Sequence, residues 1–159
     1  MQVFLSQLML GLVNGSFYAM LSLGLAVIFG LLGIVNFAHG ALYMLGAFMG
    51  YSLSRWSGNF WVALAVAPVV VGLFGAAFEF TILRRLYRRD AHAFLMVTFG
   101  LALVVGEAVR LIWGSDALQV PPPASLSGVV FVLDEPFPLY RLFLVAVGAV
   151  VAVAIWQFL

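Results

Sequence analysis

For its first 54 residues the chain carries no charged side chain, and apolar residues then return in three further blocks separated by polar breaks. A single straight helix through that first run would extend roughly 80 Å, far more than the ~30 Å hydrocarbon core of a bilayer. It must therefore break. The most polar patch is Asn36, Phe37, Ala38, His39 and Gly40, which predicts one segment over residues 4 to 34 and a second over residues 41 to 54. The second is short for a full crossing, and three forms remain open: a tilted helix, a half helix, or a helix that begins inside the break. The next block, residues 60 to 83, is bounded by Trp61 and by Arg84 and Arg85, with a kink expected at Pro68. Residues 93 to 113 and 139 to 159 complete the pattern. The expected fold class is all-α, a polytopic transmembrane helical bundle of about five membrane segments with a break near residues 36-40, forming a single domain over residues 1-159.

Composition settles the solvent. Hydrophobic residues make up 65% of the chain and charged residues 8%, whereas a soluble domain carries roughly 25% charge. With a mean hydropathy of +1.19, a water-soluble fold could not hide the apolar surface. The start lacks the basic residues of a cleaved signal peptide.

Charge then sets direction. Arg84, Arg85, Arg88 and Arg89 cluster in one short stretch, and short basic loops stay in the cytoplasm. The same cluster is a candidate docking surface for a cytoplasmic partner. Residues 114 to 138 carry Asp116, Asp134 and Glu135 but no basic residue, which suits the external side. Trp56, Trp61, Trp113 and Tyr140 would then form an outer aromatic belt. The external stretch holds Pro121, Pro122 and Pro123, followed by Val129, Val130, Phe131, Val132 and Leu133, a short strand or an interfacial patch. If the break at residues 36 to 40 is a cytoplasmic turn, the N-terminus is external; if it is re-entrant, the N-terminus is internal. The last segment stops at Trp156, Gln157, Phe158 and Leu159 without a basic flank, the pattern expected of a chain truncated at its C-terminus.

Candidate chemistry lies in the few polar groups of the charge-free run. Asn14, Asn36 and His39, with Gly40 beside them, could line a solute path, because polar residues within membrane segments are costly and commonly functional. The alternative is that they satisfy neighbouring helices or freed backbone groups. A helix broken inside a membrane exposes amides at one end and carbonyls at the other, and such ends can hold a zwitterion. Gly11 with Gly15 and Gly46 with Gly50 have the spacing that lets helices pack closely. Glu107 and Arg110, three apart on one helix, can form a local ion pair.

Several classes are excluded. Without cysteine, thiolate metal sites and disulfides are impossible. His39 alone builds no metal site, and no cofactor is expected in this chain. There is no lysine for a phosphate-cradling loop, no His-Glu-x-x-His and no Gly-x-Ser-x-Gly frame. The chain is thus not expected to be an enzyme, and one short basic loop is too little for nucleic acid.

More specific signals are the stretches GLVNGSFYAM from Gly11 and GIVNFAHGALYMLG from Gly33, then EFTILRRL from Glu79, TFGL from Thr98 and LIWG from Leu111. In order and spacing these resemble the branched-chain amino-acid ABC transporter permeases, in their N-terminal half. The resemblance implies an inner-membrane permease subunit working with a second permease subunit, cytoplasmic ATP-binding subunits that hydrolyse ATP, and a periplasmic solute-binding protein. The solute would be a branched-chain amino acid or a related small polar molecule. The alternative is a passive channel or permease for urea or short amides without ATP coupling.

The topology is testable because the chain lacks cysteine. A single cysteine replacing Ser127 should react with a membrane-impermeant maleimide added to intact spheroplasts, whereas one replacing Arg88 should react only after permeabilisation. The reverse labelling pattern would invert the assigned orientation.

Overall fold

The computed structural model describes residues 2–86, 91–132 and 135–158. Arg88 and Arg89 of the basic cluster, and Asp134 of the acidic stretch, lie outside the described residues. The chain divides into two compact units, Leu25–Pro121 and the pair Met1–Gly24 with Pro122–Leu159. Helix α1 (Gln2–Leu32) runs through the boundary between them.

The larger unit is built on a helical hairpin, α2 (Ala38–Ser57) and α3 (Phe60–Phe78). The two-residue linker follows from its chemistry. Gly58 adopts the left-handed region at φ +62°, which ends α2 without the Cβ clash that other residues suffer there. Asn59 then caps α3, its Oδ1 accepting the Trp61 N–H at 2.9 Å. Ser57 Oγ ties the corner, donating to the Leu53 carbonyl at 2.7 Å.

The hairpin closes over small residues. Ala38, Ala41, Ala63 and Ala67 are buried. A Cβ built on Gly50 would meet Ala67 Cβ at 3.9 Å, and one on Gly75 would meet Leu42 Cδ1 at 3.8 Å. Those two contacts fix an antiparallel register in which Gly50 faces Ala67 and Leu42 faces Gly75. Lipid tails offer no hydrophobic drive for helix association, so close backbone approach through alanine and glycine does that work. Of the glycines whose spacing suggests packing, Gly50 takes part in this contact, against Ala67. At Gly11, Gly15 and Gly46 an added Cβ would meet nothing within 4 Å, while Ala63 and Ala67, with the same four-residue spacing, lie buried.

Helix α3 passes through Pro68 as α-helix. The departure from α geometry comes later, as a π-helical turn over Glu79–Leu83, after which α4 (Arg84–Leu86) resumes. Thr81 Oγ1 bonds the Ala77 carbonyl at 2.7 Å in that region.

Helix α5 (Ala91–Trp113) packs against α2, and the two run parallel. Phe37 meets Phe99 edge-on with ring centroids 6.1 Å apart, and Phe48 meets Trp113 at 5.5 Å. Between these contacts Ala41, Val105 and Val109 form the buried core, flanked by Met44 and Leu101. Trp113 is half-buried, and its Nε1 donates to Ser52 Oγ at 2.7 Å. The sequence marks it as a membrane-interface residue; in the fold it is also the polar tie between α2 and α5.

In the smaller unit, strands β1 (Val129–Val132) and β2 (Glu135–Pro138) form an antiparallel pair with Val130 opposite Phe137. Of the two forms open for this stretch, a short strand or an interfacial patch, a strand is present over Val129–Val132. Leu139 N–H donates to the Gly128 carbonyl at 2.9 Å, tying the hairpin to α6 (Leu139–Phe158). Phe137 is buried, with the Arg141 guanidinium 5.9 Å from its ring centre. Gly148 of α6 packs closely, since a Cβ there would stand 3.4 Å from Ser16 Cβ on α1.

Among the described residues four stretches are long and apolar enough to cross a membrane: Ser6–Leu31, Phe60–Leu86, His92–Trp113 and Leu139–Gln157. Helix α2 is less apolar, but its 20 residues extend about 30 Å. The fold is all-α in its membrane elements, as the sequence pattern predicts, with the β-hairpin as a small addition.

Replacing Gly58 by alanine forces a Cβ into the left-handed region and should cost about 1 kcal/mol, whereas Gly30→Ala, inside α1 with open space around it, should be neutral or slightly stabilising. Thermal unfolding of the two purified variants in detergent reads the difference. Equal melting temperatures would contradict the assigned helix end.

Candidate functional site

The polar break between α1 and α2 is the candidate site, and its form follows from how backbone groups are satisfied in hydrocarbon. Helix α1 ends where Gly33 turns left-handed at φ +67°, its N–H returning to the Phe29 carbonyl at 2.8 Å. Three residues later Asn36 opens α2. Its Oδ1 accepts the Ala38 N–H at 3.0 Å, and its carbonyl accepts the His39 N–H at 3.2 Å. Phe37 stands at the geometric boundary of the helix, but its side chain makes no capping bond, so Asn36 performs the capping.

The second segment therefore begins inside the break, at Ala38, not at residue 41. The sequence left three forms open for this segment, and a helix that starts within the polar patch is the one observed. The cap explains why: without Asn36 the first amides of α2 would lack an acceptor at an apolar depth.

Depth can be read from both neighbours of α2. In the antiparallel register with α3, Phe37 is level with Phe80, and Leu86 at the end of that span lies about 9 Å further along the axis at 1.5 Å per residue. On the parallel side Phe37 touches Phe99, eight residues after α5 begins at Ala91, a rise of about 12 Å. The start of α2 is thus inset by about 9–12 Å from Leu86 and Ala91, the last described residue of α4 and the first of α5. Arg84 and Arg85 mark that outer level, and both are exposed.

The candidate residues separate as follows. Asn36, His39 and Gly40 are held together on the first turn of α2, with Asn36 and His39 half-buried and Gly40 exposed. Phe37 is exposed, and Ala38 beneath it is buried. Asn14 is exposed and belongs to the other unit, on the first part of α1, where Ser16 Oγ donates to the Val13 carbonyl at 2.7 Å. Glu107 and Arg110 face each other along α5, Oε2 to Nη1 at 3.5 Å, both more than half exposed. Among the described residues no group of three or more histidine, cysteine or acidic side chains could hold a metal. One further feature of the site was missed by sequence reasoning: Phe99 packs on Phe37. Glu79, which by sequence could neutralise part of the arginine cluster or reach the cytoplasmic interface, begins its π-helical turn level with Ala38.

A family model described as the branched-chain amino acid transport system permease component matches residues 7–159. The chain belongs to that permease family. The permease protein BraD of Pseudomonas aeruginosa, from a high-affinity branched-chain amino acid transport system, is 31% identical over 127 residues, covering 74% of this chain and 41% of its own length. LivH of Escherichia coli K12 is 28% identical over the same span and shares. LivM of that organism is 28% identical over 117 residues, covering 72% of this chain and 27% of LivM. The chain thus spans about two fifths of the length of BraD and LivH. No solved structure matches it. Family membership and the four long apolar helices make it a multi-pass inner-membrane protein, and a transporter component rather than an enzyme.

If capping is the structural duty of Asn36, Asn36→Ala should lower stability by about 1 kcal/mol while Asn36→Asp or Asn36→Ser restores most of it. Melting temperatures of the three purified variants decide; an unchanged Asn36→Ala protein would show that the cap contributes nothing.

Proposed function

We propose that the chain contributes the solute path of an ATP-driven importer for branched-chain amino acids or a related small polar solute, with the inset start of α2 at residues 36 to 40 as part of that path. The observation that carries this reading is the depth of a capped helix start about 9–12 Å inside the neighbouring helix ends. Irregular backbone at membrane depth is tolerated where it is buried in protein or lines a water-filled cavity, not where it faces lipid. An amino-terminal helix end there offers its positive dipole to a carboxylate. Names of the relatives support the solute class, since BraD, LivH and LivM are each named for branched-chain amino acid transport.

In this reading His39 and Gly40 flank the path. His39 presents a polar side chain on the first turn, and Gly40, with open space around it, keeps that turn narrow. Asn14 is a separate polar candidate, on the first part of α1. The chain works with a second permease subunit, with cytoplasmic ATP-binding subunits and with a periplasmic solute-binding protein; ATP hydrolysis occurs on the separate subunits. Arg84 and Arg85, with Arg88 and Arg89, fix the cytoplasmic side and offer a surface to those subunits. Alternating access follows from ATP-dependent shifts between conformations that bind the solute differently.

The test is uptake by proteoliposomes holding the assembled transporter. Leucine should accumulate only when ATP and the binding protein are both supplied, and Gly40→Leu, which fills the open side of the α2 start, should reduce the rate at least about tenfold, or about 1.4 kcal/mol in the barrier. Leucine flux that persists after ATP is depleted would identify a passive channel instead. Unimpaired uptake by Gly40→Leu would remove residues 36 to 40 from the path.

A further inference from the structure

Glu79 has no part in the path as described, yet its position is unusual for a carboxylate. It lies within the Phe60–Leu86 span, the longest of the candidate membrane crossings. Acidic residues at such depth are rare, and they face protein, water or a counter-charge rather than lipid.

Its direction is fixed by the packing of α2 on α3. Gly75 meets Leu42 at 3.8 Å, and Glu79 follows Gly75 by one turn on the same side of α3. One turn before Leu42 on the facing helix is Ala38, which is buried. Glu79 is therefore on the α2-facing side of α3, half-buried, and level with the first turn of α2.

Among the described residues no cation pairs with it; the recorded pair is Glu107 with Arg110. The next cation along the helix, Arg84, places its guanidinium 5.4 Å from the centre of the Phe80 ring. The backbone also changes at this residue. The Glu79 carbonyl accepts the Arg84 N–H across a π-helical turn, and single π turns inside α-helices recur at functional sites.

We propose that Glu79 receives the ammonium group of the transported solute, so that the path selects molecules carrying a primary ammonium. This rests on the reading that residues 36 to 40 line the solute path. A branched-chain amino acid carries that ammonium beside a carboxylate, and the relatives' names place such solutes in this family. A carboxylate in a low-dielectric wall gives the ammonium a charge-assisted partner in exchange for its lost hydration. Neutral amides and carboxylic acids without the ammonium gain nothing from it.

The experiment is a ligand-induced thermal shift on the full chain co-purified with its partner subunits. The probes are leucine, isoamylamine (the ammonium without the carboxylate) and 4-methylpentanoate (the carboxylate without the ammonium). Binding to the folded state raises the melting temperature in proportion to affinity and concentration. Leucine and isoamylamine should stabilise the wild type. Glu79→Gln should abolish the isoamylamine shift and raise the leucine concentration needed by at least about tenfold, with any 4-methylpentanoate shift unchanged. Glu79→Asp, which keeps the charge one methylene shorter, should retain part of the amine response. An isoamylamine shift in Glu79→Gln equal to that in the wild type overturns the proposal. So does a lowered basal melting temperature with all ligand responses intact, since Glu79 would then serve only the helix packing. A wild type that responds to none of the three probes overturns the solute-path reading as well, and is distinct from either result.

Discussion

In hydrocarbon a backbone amide without a partner costs several kcal/mol, and the arrangement of this chain depends on where it meets that cost. The clearest case is the break between α1 and α2. There Gly33 folds its N–H back to Phe29, and Asn36 supplies both a side-chain and a main-chain acceptor to the first turn of α2. The same device recurs at the α2–α3 corner, where Asn59 accepts from Trp61 and Gly58 closes the preceding helix. Each corner uses one glycine in the left-handed region and one asparagine cap, so the chain reverses within two residues at one and restarts within five at the other. Longer polar loops would be needed otherwise, and they would have to leave the membrane.

Because the start of α2 is self-sufficient, its depth can be set by packing rather than by solvent. Alanine and glycine on α2 and α3 let the two backbones approach, and the Trp113 to Ser52 bond fastens α2 to α5. These contacts place the polar turn at residues 36 to 40 beside Phe99 and level with Glu79, inset from the arginine level. The amide cap and the small-residue interfaces are thus one system. The first makes an internal helix start tolerable, and the second determines which residues surround it.

Much of this was legible in the sequence. The charge-free run demanded a break, and the only concentrated polarity within it lay at residues 36 to 40. The span ends were marked by Trp61, the arginines and Trp113. The expected start of α2 falls three residues late because Ala38, His39 and Gly40 belong by composition to the polar break, whereas an asparagine before them makes them a first helical turn. The helix-packing positions were harder to see. Gly11 and Gly15 have the spacing for close packing, but spacing does not say which helix arrives, and Ala63 with Ala67 carry the contact through the pairing of α2 and α3. Pro68 predicted a kink because it removes one amide; the irregularity at Glu79–Leu83 has no comparable residue signal, since a π turn needs no particular side chain. The Asn36 cap was visible only as one of two alternatives, structural partner or path residue, and the observed bond to Ala38 uses one acceptor of the amide without deciding the use of the rest.

Exposure means different things on different parts of this molecule. Leu111, Ile112, Leu103 and Val104 on α5 are largely exposed, and in lipid such side chains need no cover at all. Their exposure points to no partner. The first turn of α2 is the opposite case, because its polar groups must be satisfied where lipid offers no hydrogen bonds. Asn36 does this for the Ala38 N–H at 3.0 Å. Polar groups, not the far larger apolar exposure, are therefore the constraint that shapes this part of the surface.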